Sequence, residues 1–222
     1  MCNLYSVTTN LEAMRRIARA FRDSLGNQPS LPAIFPDQLA PVVRLDSNGE
    51  RTLDQLRWGF PPPPKIGMRP VTNVRNYSSP YWRSWLKRGH RCLVPATSFC
   101  EYTDSLPKVP HWFALDDTRP LFAFAGIWRS WTGARGTKEE RKALAEKTGS
   151  EEQEHQLFAF LTTEANEVVR PIHAKAMPVM LPAGEAWDVW LEGETEKAME
   201  LARPFPEGGL KVVAKGKRED QP

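Results

Sequence analysis

Between Leu31 and Val213 the apolar residues come in short runs broken by proline and turn residues, with no strand–helix–strand rhythm. Extended runs fall at Leu31–Phe35, Pro41–Leu45, Thr52–Phe60, Cys92–Val94, Phe99–Thr103, His111–Leu115, Leu121–Trp128, Leu157–Thr162, Met177–Leu181 and Leu210–Val213. Asp46-Ser47-Asn48-Gly49 sits between two of them and predicts a hairpin. Helical spacing is scarcer. Leu11, Met14, Ile17, Ala18, Phe21 and Leu25 form one amphipathic stripe, with Thr9 or Asn10 as N-cap and Gly26 at the end. Ser79-Pro80 starts a short helix ending near Gly89, and Glu164–Val169, Trp187–Leu191 and Glu196–Ala202 read as further short helices. Many short strands with scattered helices give an α+β chain with one mixed or mostly antiparallel core.

Two segments fall outside this pattern. Thr132–Gln156 is small, charged and nearly free of large apolar side chains, so it is expected to be an exposed helical or disordered insertion. The tail from Lys215 to Pro222 is polar and expected to be flexible, leaving a single domain over 1–214. With 222 residues, 41% hydrophobic and 26% charged, the composition is that of a soluble globular protein. The first twenty residues lack the apolar run of a secretory signal, and no stretch is apolar enough to span a membrane. Three cysteines without a close pair argue for a reducing, cytoplasmic setting. No heptad pattern suggests an obligate oligomer, so a monomer is expected.

The net charge is only +3, but it is unevenly spread. From Gln55 to Cys100 there is no carboxylate, while Arg57, Lys65, Arg69, Arg75, Arg83, Lys87, Arg88 and Arg91 all lie inside. Trp58, Phe60, Tyr77, Tyr81, Trp82 and Trp85 are interleaved with them. Cations that neutralise phosphates and aromatic faces that stack on unpaired bases are what a single-stranded nucleic-acid groove requires. The same residues are equally compatible with a solvated basic face whose aromatics belong to the core.

Cys2 is the second residue. Removal of Met1 would leave a free α-amine beside a thiol, and such an amine titrates at roughly 7.7–8.0. A 1,2-aminothiol condenses with an aldehyde to an imine and closes a thiazolidine ring, the second bond forming intramolecularly. Three further places join reactive residues to strand ends or loops: Thr72–Asn76, the stretch from Arg91 through Phe99-Cys100-Glu101-Tyr102, and Ile172–Pro178. Glu101 stands among apolar residues, where burial raises a carboxyl's pKa toward the range useful for proton transfer. His173 follows Pro171, which favours a loop. Cys92, Cys100, His90 and His111 match no common structural zinc spacing, and no metal or cofactor is expected.

Taken in order, Cys2, Trp58-Gly59-Phe60, Asn73-x-Arg75, Arg91–Pro95, Phe99-x-Glu101, Ala125–Trp128, Thr162-Thr163-x-Ala165 and His173-x-x-x-Met177-Pro178 resemble the SRAP (SOS response-associated peptidase) family of abasic-site shield proteins. The resemblance implies a single barrel-like domain with short peripheral helices. It also implies covalent capture of abasic sites in single-stranded DNA, as part of the DNA damage response, by a protein that joins the nucleoid when bound. By position, Cys2 supplies amine and thiol, and Asn73 positions the Cys2 amine or the sugar. Glu101 shuttles protons, and His173 assists imine formation or its reversal. Arg75 and Arg83 would hold phosphates, Trp58, Phe60 and Tyr102 would stack or wedge, and Thr162 would line the site. The chain departs from the family at Asn3 and Leu4, where Gly and Arg are usual, and at Tyr102, where Trp is usual.

Two other functions fit parts of this pattern. An N-terminal-cysteine peptidase, removing its own Met1 or a short leader, would use Cys2 with its amine as base. A non-catalytic single-strand binding module would use the basic and aromatic residues and leave Cys2, Glu101 and His173 idle.

Overall fold

The computed structural model describes residues 2–9, 11–20, 22–23, 25, 29–63 and 69–220. In chain order, β1 (Tyr5–Val7) and α1 (Leu11–Ala18) precede β2 (Arg22–Asp23), β3 (Leu31–Ile34), β4 (Leu39–Leu45) and β5 (Arg51–Trp58). After β6 (Asn73–Val74) come α2 (Pro80–Arg83), β7 (Arg91–Ala96), β8 (Ser98–Tyr102), β9 (Pro110–Ala114) and β10 (Phe122–Gly133). The remainder is α3 (Lys138–Thr148), β11 (Gln153–Thr163), β12 (Met177–Pro178), β13 (Met180–Pro182), α4 (Glu185–Glu192), α5 (Thr195–Met199) and β14 (Lys211–Lys215).

The larger sheet closes on itself. Its order β11-β10-β7-β4-β5 is completed by a parallel pairing of β5 with β11, Arg57 opposite Leu157 and Trp58 opposite Phe158. All other links in this ring are antiparallel, so the barrel is mixed and leaves no free edge around its circumference. The expected α+β, barrel-like core is what the chain forms. The smaller sheet, β14-β9-β8-β1-β3, lies beside the barrel and carries the strands next to Cys2 and Glu101.

The barrel is tightly filled. Tyr5, Trp58, Phe124 and Phe160 are all fully buried. Their ring centroids lie 5.1 Å (Tyr5–Trp58), 5.2 Å (Trp58–Phe160) and 4.6 Å (Phe124–Phe160) apart. Each such pair adds about 0.5–1.5 kcal/mol beyond area burial. Gly126 is required by close approach: a Cβ there would meet Cys92 Sγ at 2.7 Å and Val94 Cγ2 at 2.9 Å. Its carbonyl and that of Cys92 both accept from Trp190 Nε1, at 3.1 and 2.9 Å, which pins α4 to the barrel wall.

The hairpin at Asp46–Gly49 forms as its residues demand. Asp46 Oδ1 accepts from the backbone of Asn48 and Glu50 at 2.8 and 2.9 Å, and Gly49 takes φ +79°. Other expectations are corrected. The first helix ends at Ala18 because Arg19 adopts a left-handed φ of 52° and Arg22–Asp23 pairs with β5 instead. Asn10, Phe21 and Gly26 lie outside the described residues. Ser79 caps nothing with its side chain, although Pro80 does open α2. Glu164–Val169 is not a helix: 164–166 are irregular and 167–170 form turns.

The insertion is narrower than Thr132–Gln156, because β10 and β11 pair as far as Gly133–Gln153. Only the connection between them, with α3, projects outward. That helix buries no residue and is started by a reciprocal capping box between Thr137 and Glu140. The tail is not loose through Asp220. That side chain is fully buried, accepting from Ser98 Oγ at 2.5 Å and from Arg119 Nε and Nη2 at 2.8 Å each.

Candidate active site

Residues 2–4 precede β1 and continue its alignment with β8, so that Cys100 N donates to Leu4 O at 2.9 Å. Glu101 is therefore carried beside the segment that holds Cys2. From the other side, the pair Thr72-Asn73 grips this segment. Asn73 Nδ2 donates to Cys2 O at 2.7 Å and to Thr72 Oγ1 at 2.8 Å, while Thr72 Oγ1 donates to Asn3 Oδ1 at 3.0 Å. Asn73 is held there by the parallel pairing of β6 with β11, opposite Phe160. Thr162, two residues further along β11, pairs with Pro178.

Asn73 and Thr162 are buried, and Asn73 Oδ1 and Thr162 Oγ1 have no protein partner among the described residues. Buried polar atoms rarely go unmatched, so the Asn73 oxygen, on the side chain that holds Cys2, is an acceptor available to a bound group.

Cys2 is fully buried, its Sγ 3.4 Å from Leu4 O and 3.9 Å from Cys100 O. Burial, and then the nearby Glu101 carboxylate, push its thiol well above the usual range, so the sulfur is held protonated. Glu101 is itself raised to about 7 by burial; the positive amino terminus opposes that shift and Asp104 adds to it. Its Oε2 lies 3.8 Å from His173 Nε2. On the far side of the ring, Nδ1 lies 3.3 Å from Asp104 Oδ1. Burial lowers the pKa of His173, reinforced by the amino terminus and Lys175 and opposed by Asp104. The neutral imidazole is thereby favoured near neutrality.

The structure thus brings together Cys2, Asn73, Glu101 and His173, with Thr162 two residues beyond the Asn73 partner Phe160 on β11. It separates others. Trp58 and Phe60 are fully buried and present no face to a nucleic acid. Trp58 is stacked between core rings and donates to Thr72 O at 3.1 Å, while Phe60 packs on Trp82 and Trp85. Tyr102, half-buried, packs with Leu4, Cys100 and Trp112 on the opposite side of β8 from Glu101. Arg91, grouped by sequence with the phosphate-binding cations, is fully buried. Its guanidinium holds Leu86 O at 3.0 Å and the carbonyls of Trp190 and Gly193 at the end of α4.

Arg75 is exposed, with Nη1 on Thr163 O at 2.6 Å and Lys175 O at 3.3 Å, next to the site. Arg83, Lys87 and Arg88 are exposed on and after α2, and Lys65 lies outside the described residues. Among the described residues no group of three His, Cys, Asp or Glu side chains is arranged to hold a metal ion. Cys92 is a core residue, its thiol raised by burial.

Asp104 and Thr72 were the residues the sequence left without a role. Thr72 adjoins Asn73, but nothing local marks Asp104, which is one of several turn carboxylates.

Fold and site together define a small β-barrel protein in which a cysteine near the amino terminus is set among acid–base groups. The chain belongs to the SRAP family: the family described as "SOS response associated peptidase (SRAP)" matches residues 1–217. Among curated proteins it is 32% identical over 165 residues to the Bacillus subtilis "Abasic site processing protein YoaM", covering 69% of this chain and 62% of that protein. It is 34% identical over 112 residues to the B. subtilis "Abasic site processing protein YobE", covering 46% of this chain and 49% of that one. The chain thus spans less than two thirds of the length of these relatives. Crystal structures of proteins from Bordetella bronchiseptica (TM-score 0.72, 21% identity, 97% of this chain, 98% of that one) and Bacteroides thetaiotaomicron (TM-score 0.69, 21% identity, 95% and 90%) share the fold. No helix among the described residues is long and apolar enough to cross a membrane.

Proposed function

We propose that this protein captures abasic sites in single-stranded DNA by forming a thiazolidine between Cys2 and the ring-opened sugar, within the handling of DNA damage. The observation that carries this reading is the convergence of Cys2, Asn73, Glu101 and His173, with Asn73 Nδ2 on Cys2 O at 2.7 Å and Glu101 raised to about 7.

The chemistry begins with loss of Met1, which turns the Cys2 amide nitrogen into an amine. The amine adds to the C1′ aldehyde, and water leaves as the imine forms. Glu101, near half-protonated at neutral pH, donates the proton that lets the sugar ring open or water depart. The buried thiol then adds to the imine carbon. Because that thiol is held protonated, it needs a base at the moment of attack, and the Glu101 carboxylate generated in the previous step is that base. The sulfur's proton goes to Glu101 and the imine nitrogen takes one back. His173 shares these proton movements from the other side. Asn73 is uncharged, so it orients the amine without favouring the ammonium form. Arg75 and Arg83 engage flanking phosphates.

The test is incubation with a single-stranded oligonucleotide containing one abasic site, followed by denaturing electrophoresis and intact mass measurement. A heat-stable adduct mapped to Cys2, with Met1 absent, is expected. No adduct from protein verified to begin at Cys2 overturns the reading.

A further inference from the structure

The β8–β9 hairpin delivers two carboxylates to one imidazole. Glu101, on β8, faces Nε2 of His173, and Asp104, three residues later in the turn, faces Nδ1. We propose that Asp104 is a positioning residue for His173: by accepting from Nδ1–H it fixes the tautomer whose Nε2 lone pair is directed toward Glu101. The role assigned to that lone pair rests on the abasic-site reading; the tautomer assignment does not.

Asp104 is tied to the His173 loop through three contacts. Its Oδ1 meets Nδ1 at 3.3 Å, its Oδ2 accepts from Ala174 N at 3.1 Å, and its own N–H donates to Ile172 O at 3.1 Å. The residues on both sides of His173 are thus held by the same aspartate. Lys108 fixes the turn in its place, donating from Nζ to Thr103 O at 2.6 Å and Asp104 O at 2.8 Å.

Which nitrogen of a neutral imidazole carries the proton is set by the partner of the other. A carboxylate at Nδ1 makes that nitrogen the donor and leaves Nε2 an acceptor. The 3.8 Å between Nε2 and Glu101 Oε2 is longer than a hydrogen bond. It suits a single substrate oxygen or water contacting both atoms, which lets a proton pass between sugar and protein from either side. The charged groups around His173 are Glu101 from β8, Asp104 from the turn and Lys175 from its own loop. Asp104, at 3.3 Å from Nδ1, approaches the ring more closely than Glu101 does at Nε2, which favours Nδ1 as the donor.

Asp104→Asn is the informative variant, because its side-chain oxygen can still serve Ala174 N while the charge is gone. Nitrogen-resolved NMR titration of His173 in DNA-free protein reads the tautomer directly. Wild type is expected to show Nδ1–H, with Asp104→Asn shifting the population toward Nε2–H and lowering the His173 pKa. With saturating abasic oligonucleotide, the single-turnover rate of adduct formation is expected to fall about tenfold or more, with the half-saturating DNA concentration unchanged and the histidine limb of the pH profile moved to lower pH.

An unchanged tautomer in Asp104→Asn overturns the inference. A variant weakened only in half-saturation, with its pH profile intact, does so too, since Asp104 would then be shaping the surface and not the ring. Should wild type beginning at Cys2 form no adduct, the abasic-site reading fails and the NMR result alone decides the role of Asp104.

Discussion

Strand β8 holds a buried carboxylate cluster at each end, and the two are built in opposite ways. At Ser98 the carboxylate comes from Asp220, which is met by a serine hydroxyl and a bidentate arginine. The chain extends the network through Ser6, whose Oγ lies 2.8 Å from Ser98 Oγ. At Glu101 the carboxylate faces an imidazole at 3.8 Å, and burial outweighs the charges that would stabilise its ionised form. The first arrangement tethers the carboxyl-terminal segment to the small sheet. The second leaves a proton exchangeable near neutrality. A buried acid met by an arginine and a serine anchors a segment, whereas one whose pKa burial raises toward neutrality is where chemistry is to be sought.

Substitutions should separate the two ends. The largest effect is at Cys2. Cys2→Ser keeps an amine but has no thiol, so durable adduct should vanish and leave at most an imine trapped only by a reductant. Crosslinks as heat-stable as wild type would remove the thiazolidine from the mechanism.

Glu101→Gln should slow adduct formation by roughly 10²–10⁴-fold and yet stabilise the protein. A carboxyl whose folded pKa is raised costs nothing below its unfolded value of about 4.3, where both states are protonated. The cost grows as pH rises and is complete above about 7. Relief on the order of 3 kcal/mol is therefore expected at pH 8 and little at pH 4, read as a pH-dependent gap between the melting temperatures of the two proteins. An equal gap at both pH values would show that burial is not what shifts Glu101.

Asp220→Ala should do the reverse. It strands Arg119, whose side chain is only 10% exposed, and removal of one partner from such a pair costs about 3–5 kcal/mol. Denaturant unfolding measures this, and the adduct rate of the folded fraction should be unchanged. A loss below about 1 kcal/mol would demote the tail contact to a surface pair.

What could be read from the sequence divides along the same line. The α+β core was legible because short apolar runs and the Asp46–Gly49 turn are local signals, whereas the barrel was implied only by the resemblance to the family. The convergence of the candidate residues Cys2, Asn73, Glu101 and His173 was legible because each sits in a motif whose order resembles the family. Trp58 and Phe60 misled because an aromatic beside a cation looks alike in a groove and in a core; which it is depends for Trp58 on β11, a hundred residues away, and for Phe60 on Trp82 and Trp85. Asp220 and Arg119, and likewise Asp104 and His173, meet only through tertiary structure. No local spacing announces them, and a polar tail ending in a buried aspartate contradicts the usual link between polarity and fraying. The first helix was overestimated because its apolar stripe continues past Ala18, while strand pairing at Arg22–Asp23 wins the competition for the backbone.

Arg75 tests the border between the two kinds of residue with the smallest effect. Its Nη1 is committed to Thr163 O and Lys175 O, so it steadies the loop that presents His173, yet the side chain is exposed beside the site. If it also neutralises a phosphate, Arg75→Ala should weaken binding of single-stranded DNA and reduce the slope of log affinity against log salt by about 0.7. Arg75→Lys keeps the charge but loses the planar guanidinium that reaches both carbonyls, so it should restore the salt slope without restoring the loop. A salt slope identical in wild type and Arg75→Ala, with adduct formation slowed, would assign Arg75 wholly to the loop and leave the phosphates to Arg83 and its exposed neighbours.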